Sequence, residues 1–295
     1  MRSLLFVPGD SPRKLDKAVE SGADVLLLDL EDSVAAGAKQ AARTMTADFL
    51  RRTRDVAGRP RLYVRVNALG SGLVDADLDA VMGAGPDGIL LPKAVGGRDV
   101  THLDAKLAVR EAMEGLPDGA TEIVAIATET AASLFAMGSF QGASRRLRGM
   151  TWGAEDLSAD LGAARQRRPD GSFTDAFRLA RALCLVGAVA AGVAPIDSIN
   201  AAFRDLEALA SEAEAAALDG FTGKLAIHPA QVPVINAAFT PSTAAVARAQ
   251  AVLAAFAAAG PGAGVVSLDG AMLDQPHRLQ AERLLARARG AGVAT

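Results

Sequence analysis

Eight short apolar runs, alternating with stretches long enough to be helices, constrain this chain more than any other feature. The runs are Ser3–Val7, Val25–Leu28, Leu62–Val66, Gly88–Leu91, Ile123–Ala127, Arg148–Thr151, Pro195–Ile199 and Lys224–Ile227. Helical segments are predicted between them at Pro12–Ser21, Ala38–Arg54, Val100–Glu114, Phe173–Ala191 and Ala201–Leu218. The runs are continuous rather than alternating apolar with polar, as in strands covered on both faces. Strand and helix in alternation predict a parallel sheet. Eight repeats predict its closed form, a TIM (β/α)8 barrel with its active site at the carboxyl ends of the strands. A doubly wound open sheet is the alternative. Against it, no Gly-x-Gly-x-x-Gly follows the first strand, and Val7-Pro8-Gly9-Asp10 makes a poor dinucleotide loop.

The pattern changes after Ile227-His228-Pro229. A helix is predicted over Pro241–Ala259, followed by the glycine-rich break Gly260-Pro261-Gly262-Ala263-Gly264, a strand at Val265–Leu268 and a last helix at Pro276–Ala288. The expected division is a barrel over residues 1–238 and an appendage over 239–295. The flexible break would let the appendage move or reach a neighbouring subunit. At the other end, Asp10-Ser11-Pro12 predicts a capping side chain ahead of a proline at the first helical position.

Composition narrows the function. With 295 residues, half of them hydrophobic and 22% charged, the chain can bury a sizeable core. A formal charge of −3 leaves no basic excess for phosphate backbones, which argues against nucleic acid as the main partner. The single cysteine, Cys184, cannot form an internal disulfide and lies in the apolar run Ala182–Val186, where it reads as an inert core thiol. No apolar run is expected to reach the roughly 18 residues of a membrane helix. The N-terminal run is too short for a signal peptide, so a cytoplasmic setting is expected.

Polar residues collect where the strands stop. The second strand runs into Asp29-Leu30-Glu31-Asp32-Ser33, the third carries Arg65 and Asn67, and the fourth leads to Pro92-Lys93. Glu129 follows the fifth strand, and Glu155 and Asp156 the sixth. Asp197 and Asn200 follow the seventh, and His228 the eighth. Ionised carboxylates past strand ends suit a hard cation such as Mg²⁺. Asp29 and Glu31 also read as structural partners for Arg65 and Lys93, because an arginine facing a barrel interior needs a carboxylate. His228, followed by Pro229, reads as a strand-end hydrogen bonder, and the three histidines show no zinc spacing. Arg13 and Lys17, four apart at the first predicted helix, share a face that reads either as solvated or as a clamp for a phosphorylated ligand.

Taken in order, Leu5-Phe6-Val7-Pro8-Gly9-Asp10, Asp29-Leu30-Glu31-Asp32-Ser33-Val34, Val64-Arg65-Val66-Asn67, Leu91-Pro92-Lys93 and Glu129-Thr130 resemble the citrate lyase beta-subunit-like family. Glu155-Asp156-Leu157, Asp160-Leu161-Gly162 and Ile227-His228-Pro229 continue the resemblance across nearly the whole chain. It implies a barrel that uses Mg²⁺, held by Glu129 and Asp156, to cleave or form a carbon–carbon bond beside a coenzyme A thioester. It further implies that Arg65 contacts the reacting carboxylate or oxyanion and that Arg13 and Lys17 bind the phosphates of coenzyme A. Phe6, Asp29, Glu31, Asp32, Lys93, Ile227 and His228 are implied around substrate and coenzyme. Gly270-Ala271-Met272-Leu273-Asp274 matches the family's appendage motif, so Asp274 is implied to enter a neighbouring subunit's site as acid or base. Read alone, Asp274 belongs to the N-cap region of the last helix. The shared appendage implies a homo-oligomer, expected to be a trimer.

Such a lyase would act on malyl-, methylmalyl-, citramalyl- or citryl-CoA, and the chain does not reveal which. A metal-dependent aldolase on 4-hydroxy-2-oxo acids is the alternative enzyme. A citrate lyase beta subunit that depends on an acyl-carrier partner is the alternative of a different kind. Thioester hydrolysis after condensation is a further outcome of the same chemistry.

Overall fold

The computed structural model describes residues 1–260 and 262–295; Pro261, in the predicted break, lies outside the described residues. The first half runs β1 (Ser3–Pro8), α1 (Pro12–Val19), β2 (Val25–Asp29), α2 (Lys39–Thr53), β3 (Arg61–Arg65), α3 (Val74–Val81), β4 (Gly88–Leu91) and α4 (Gly97–Met113). It continues through β5 (Glu122–Ile126), α5 (Ala131–Leu134), β6 (Leu147–Thr151), α6 (Ala154–Leu161), α7 (Asp175–Ala190), β7 (Ala194–Asp197), α8 (Leu206–Asp219), β8 (Gly223–Ala226) and α9 (Gln231–Phe239). Strands β1 to β8 pair in sequence, all parallel, and β8 closes on β1 through Ser3, Leu4 and Leu5. This is the predicted TIM barrel.

Why the runs are continuous is visible in the packing. Leu4, Val25, Leu27, Tyr63, Leu90, Val124, Ile126, Ile196 and Leu225 fill the barrel interior. Their neighbours in the same strands, such as Leu26, Leu28, Val64, Ile89 and Met150, pack outward against the helices. Both faces are dry, so both must be apolar. The interior holds one large ring with a polar tip, Tyr63, whose hydroxyl donates to Glu122. Gly88 makes room for it, since a Cβ there would sit 2.6 Å from the ring.

The seventh strand stops at Asp197, two residues short of the predicted Ile199, and the others lie within one residue of expectation. The short helices α3, α5, α6 and α9 were not among the predicted segments. Helix α1 begins at Pro12 as predicted, but its N-cap Ser11 makes no side-chain capping bond.

Beyond the barrel, α10 (Thr243–Ala259), the antiparallel pair β9 (Val265–Leu268) and β10 (Ala271–Asp274), and α11 (Gln275–Gly290) form a small core of their own. Val246, Val252, Phe256, Val266, Leu273, Ala281 and Leu285 fill it. The C-terminal half of α11 lies beside Met1, Arg2 and Thr222, which precede β1 and β8 and so mark the barrel face opposite the strand carboxyl ends. Contrary to the expectation from sequence, residues Gln231–Ala259 are long and apolar enough by composition to count as a candidate membrane span. The structure breaks that stretch in two. Thr240 is extended (φ −91°, ψ 120°), as a residue before proline favours, and Ser242 opens α10 by accepting the Ala245 N–H at 3.2 Å.

Candidate active site

A cavity of about 430 Å³ opens where β1, β2, β3, β5, β6, β7 and β8 end. Its walls include Phe6, Asp29, Asp32, Arg65, Ile126, Glu129, Trp152, Glu155, Asp156, Ile199, Leu225 and Ile227. The barrel brings these together because parallel strands deliver all their carboxyl ends to one rim.

Arg65 anchors one side. Its Nε and Nη2 donate to the two Asp29 oxygens, both at 2.7 Å, and its Nη1 lies 3.0 Å from Glu31 and 3.6 Å from Asp32. The guanidinium also stands 4.8 Å over the Phe6 ring. Burial works against its charge, but Asp29, Glu31 and Asp32 outweigh that and hold its pKa above the ordinary value. Asp29 is itself saturated, since its oxygens also accept the Glu31 and Ser33 N–H groups at 2.8 and 3.1 Å. Its pKa is lowered although burial pushes upward, because Arg65 and these donors favour the charged form. Asp29 and Glu31 are thus the partners of Arg65 and Lys93 that the sequence suggested, and Glu31 does not line the cavity.

Glu129 and Asp156 form the other side. Glu129 is 4% exposed, and burial, with Asp156 and Glu31 adding like charge, pushes its carboxyl up to about 8, although the Lys93 N–H donated to it acts in the opposite sense. That N–H is aimed by an unusual backbone, because Lys93 has φ +53°, rare outside glycine. The Lys93 ammonium lies 2.8 Å from Glu31 and 3.2 Å from Asp156, so one residue ties both acidic groups together.

Gly153 fixes the approach of the two strand ends. A Cβ at this position would fall 2.7 Å from Glu129 Cγ, closer than real contacts allow. Gly153→Ala is therefore expected to displace the Glu129 carboxylate and weaken divalent-cation binding by about tenfold or more, roughly one lost charged contact, with little change in the barrel's far-UV circular dichroism. Calorimetric titration with MgCl₂ checks it.

Other predicted residues fall elsewhere. Asp197 does not open onto the rim: it is 1% exposed and held by Lys224, Arg181 and Trp152. Asn200 is buried near Glu212. His228 is exposed, stacks on Phe203 at 5.0 Å and takes the Ala230 N–H on Nδ1, a strand-end role and no ligand cluster. Arg13 and Lys17 are exposed on α1 outside the cavity walls. Cys184 is buried, and burial pushes its thiol pKa up, as for an inert core thiol. Asp274 caps α11 in a capping box with His277, 2.6 Å away, and is absent from the walls of its own chain's cavity. The sequence reading missed Lys224, fully buried at the start of β8; a lysine opening an apolar run was its only signal.

Fold and rim together define a TIM-barrel protein with an arginine-anchored pocket bearing paired carboxylates. Residues 2–229 match the HpcH/HpaI aldolase/citrate lyase family, and residues 175–293 match a family described as a C–C bond lyase of the TIM-barrel fold. The chain belongs to the citrate lyase beta-like members of the HpcH/HpaI family. It is 36% identical over 285 residues to a citrate lyase subunit beta-like protein of Mycobacterium tuberculosis, covering 96% of this chain and 94% of that protein. It is 37% identical over 288 residues to a (3S)-malyl-CoA thioesterase of Cereibacter sphaeroides, covering 97% and 94%. Among solved structures, protein CitE from M. tuberculosis in complex with magnesium, acetoacetate and coenzyme A superposes with a TM-score of 0.77 at 36% identity, covering 98% of each chain.

Proposed function

We propose that this chain is a magnesium-dependent carbon–carbon lyase that cleaves, or in reverse forms, a 3-hydroxyacyl-coenzyme A thioester such as malyl-, citramalyl- or citryl-CoA. The products would be acetyl-CoA and a 2-oxo acid. The convergence of Glu129, Asp156 and Arg65 on one cavity carries this reading.

The residues fit the ion. No cluster of three or more His, Cys, Asp or Glu ligands occurs among the described residues, and Mg²⁺ needs none, because it takes one or two carboxylates and completes its shell with water and substrate oxygens. Burial, and then the like charge of Asp156 and Glu31, raise the pKa of Glu129, and a bound cation would offset both. Held by Glu129 and Asp156, Mg²⁺ would supply Lewis acidity toward the substrate's hydroxyl and carboxylate oxygens. Asp29 and Glu31 engage only part of the Arg65 N–H set, so the remainder provides fixed donors where negative charge develops. Arg13 and Lys17 supply charge for the coenzyme's phosphates. Among the described residues neither has an ion partner; Arg13 stands in the first turn of α1, where the helix dipole favours an anion, and Lys17 one turn on, in its last turn.

Asp274 of a neighbouring copy is the proton carrier in this reading, passing a proton between itself and the acetyl-CoA methyl carbon. The appendage, residues 239–295, would then cover a partner's cavity in a homo-oligomer, which we propose to be a trimer. Asp274→Asn is expected to spare Mg²⁺ binding and abolish exchange of the acetyl-CoA methyl protons with deuterium oxide. Retained exchange by NMR would remove Asp274 from the mechanism.

The reading is tested with purified protein and Mg²⁺ incubated separately with malyl-, citramalyl- and citryl-CoA. Acetyl-CoA release from one of them, lost with EDTA, supports it; release from none sinks it. Hydrolysis is a second reading, favoured by the 37% identity to a relative named as a malyl-CoA thioesterase. The same assay separates the two, because hydrolysis yields free coenzyme A and the hydroxy acid.

A further inference from the structure

Behind the cavity wall runs a closed ring of contacts that touches the cavity at a single point. Trp152, 1% exposed, donates its indole Nε1–H to Asp197 at 2.7 Å. Asp197 in turn accepts from Lys224 Nζ at 2.8 Å and Arg181 Nε at 3.2 Å. Lys224, with no solvent exposure, donates to Glu212 at 2.9 Å, and Glu212 accepts from Arg167 at 3.0 Å. Arg167 stands 3.8 Å over the Phe173 ring, and that ring meets Trp152 edge to face at 5.0 Å. Of this ring only Trp152 lines the cavity.

The arrangement costs more than a packed core would, because two ions must leave water to form it. What it provides is orientation. An indole ring is held at two points, by a charged acceptor on its N–H and by a T-shaped contact with the Phe173 ring. Trp152 also adjoins Gly153, whose lack of a side chain lets Glu129 approach, so it shares the cavity wall with the paired carboxylates.

Resting on the lyase reading above, we infer that Trp152 is the wall that selects the substituent on the oxo-acid carbon, and that Asp197, fixed by Lys224, is its positioning residue. The candidate substrates differ at that carbon by hydrogen, methyl or carboxymethyl groups, and a rigid ring separates such groups by size. One methylene against an apolar wall changes selectivity by about 10- to 200-fold. Asp197 stays charged in its dry setting: burial acts to raise its pKa, but Lys224 and Arg181 outweigh burial and hold it low.

Trp152 is the chain's only tryptophan, so its emission reports on the cavity without any need for turnover. The experiment titrates the Mg²⁺-loaded protein with glyoxylate, pyruvate and oxaloacetate, following heat and tryptophan emission together. In the wild type, saturable heat should be accompanied by a change in emission. Trp152→Leu should raise the affinity for a larger oxo acid relative to a smaller one by about tenfold. Asp197→Asn should shift the emission of the unliganded protein and alter the order of affinities. If that variant fails to fold, Phe173→Leu carries the test, because it removes the ring-edge contact and leaves every buried ion paired. Heat without an emission change, or an order of affinities preserved within about twofold in Trp152→Leu and Phe173→Leu, overturns the inference alone. No heat with any oxo acid overturns the lyase reading and this inference with it.

Discussion

Glu129→Gln is expected to remove magnesium-dependent turnover by about a thousandfold or more, the loss of several kcal/mol of Lewis-acid stabilisation, while leaving the barrel folded. The argument begins with burial. Glu129 is 4% exposed and its carboxyl is pushed up to about 8, first by desolvation and then by Asp156 and Glu31. A carboxyl raised in this way binds more protons in the folded chain than in the unfolded one between about pH 4.5 and 8. Without metal, its contribution to stability therefore falls as pH rises through that window. A cation at the site must displace the proton, so apparent Mg²⁺ affinity should weaken by about tenfold per pH unit below that value. Thermal melts with and without MgCl₂ read this directly. The rise in Tm should be larger at pH 8.5 than at pH 6 in the wild type and absent at both in Glu129→Gln. The amide keeps the shape and can accept the Lys93 N–H, so the metal-free variant should melt no lower than the wild type. An unchanged magnesium response would remove Glu129 from the metal site.

The barrel was legible in the sequence because both faces of each strand are dry. Leu27 faces inward and Leu28 outward, and each must be apolar for a different reason, which leaves a continuous run. What stayed hidden depends on contacts between distant elements. Helix α3 carries Asp75, Asp77 and Asp79, which disguise its core face. Asp77 is nevertheless fully buried, because Arg43 meets it at 2.7 Å and Asn67 donates to it twice. Strand β10 is only four residues and ends in the cap of α11, so the motif that flagged Asp274 masked its strand. At the site, Glu129 and Asp156 could be found as acids past strand ends. Asp197 looked identical by that criterion. It differs because it pairs with Lys224 on the adjacent strand, a register that no linear reading supplies.

Arg146→Met should produce the largest loss of stability away from the site. Arg146 lies just before β6, at the face of the barrel opposite the cavity, and its side chain is 1% exposed. Its guanidinium meets Asp104 at 2.5 Å, Glu111 at 2.6 Å and Asp118 at 2.9 Å. Glu111 is equally buried and also accepts the Gly119 and Thr121 N–H groups that lead into β5. Asp104 and Asp118 can turn to water when the arginine goes, since they are 28% and 68% exposed. Glu111 cannot. Removing the arginine leaves its charge uncompensated in a dry site, at a cost of about 3–5 kcal/mol, which should lower Tm on the order of 10 °C in a domain of this size. The pH dependence identifies the cause. The Glu111 pKa is lowered in the fold: burial pushes it up, but Arg146 and the two backbone donors outweigh burial. The stability it contributes is present above its unfolded value near 4.5 and is lost as pH falls through the folded value. The gap between wild type and Arg146→Met should therefore narrow on acidification below that point, and Glu111→Gln should recover part of it in the double variant. A gap independent of pH and unaffected by Glu111→Gln would mean that Arg146 acts through its packing, because only a lost partner for a buried charge makes the penalty titrate.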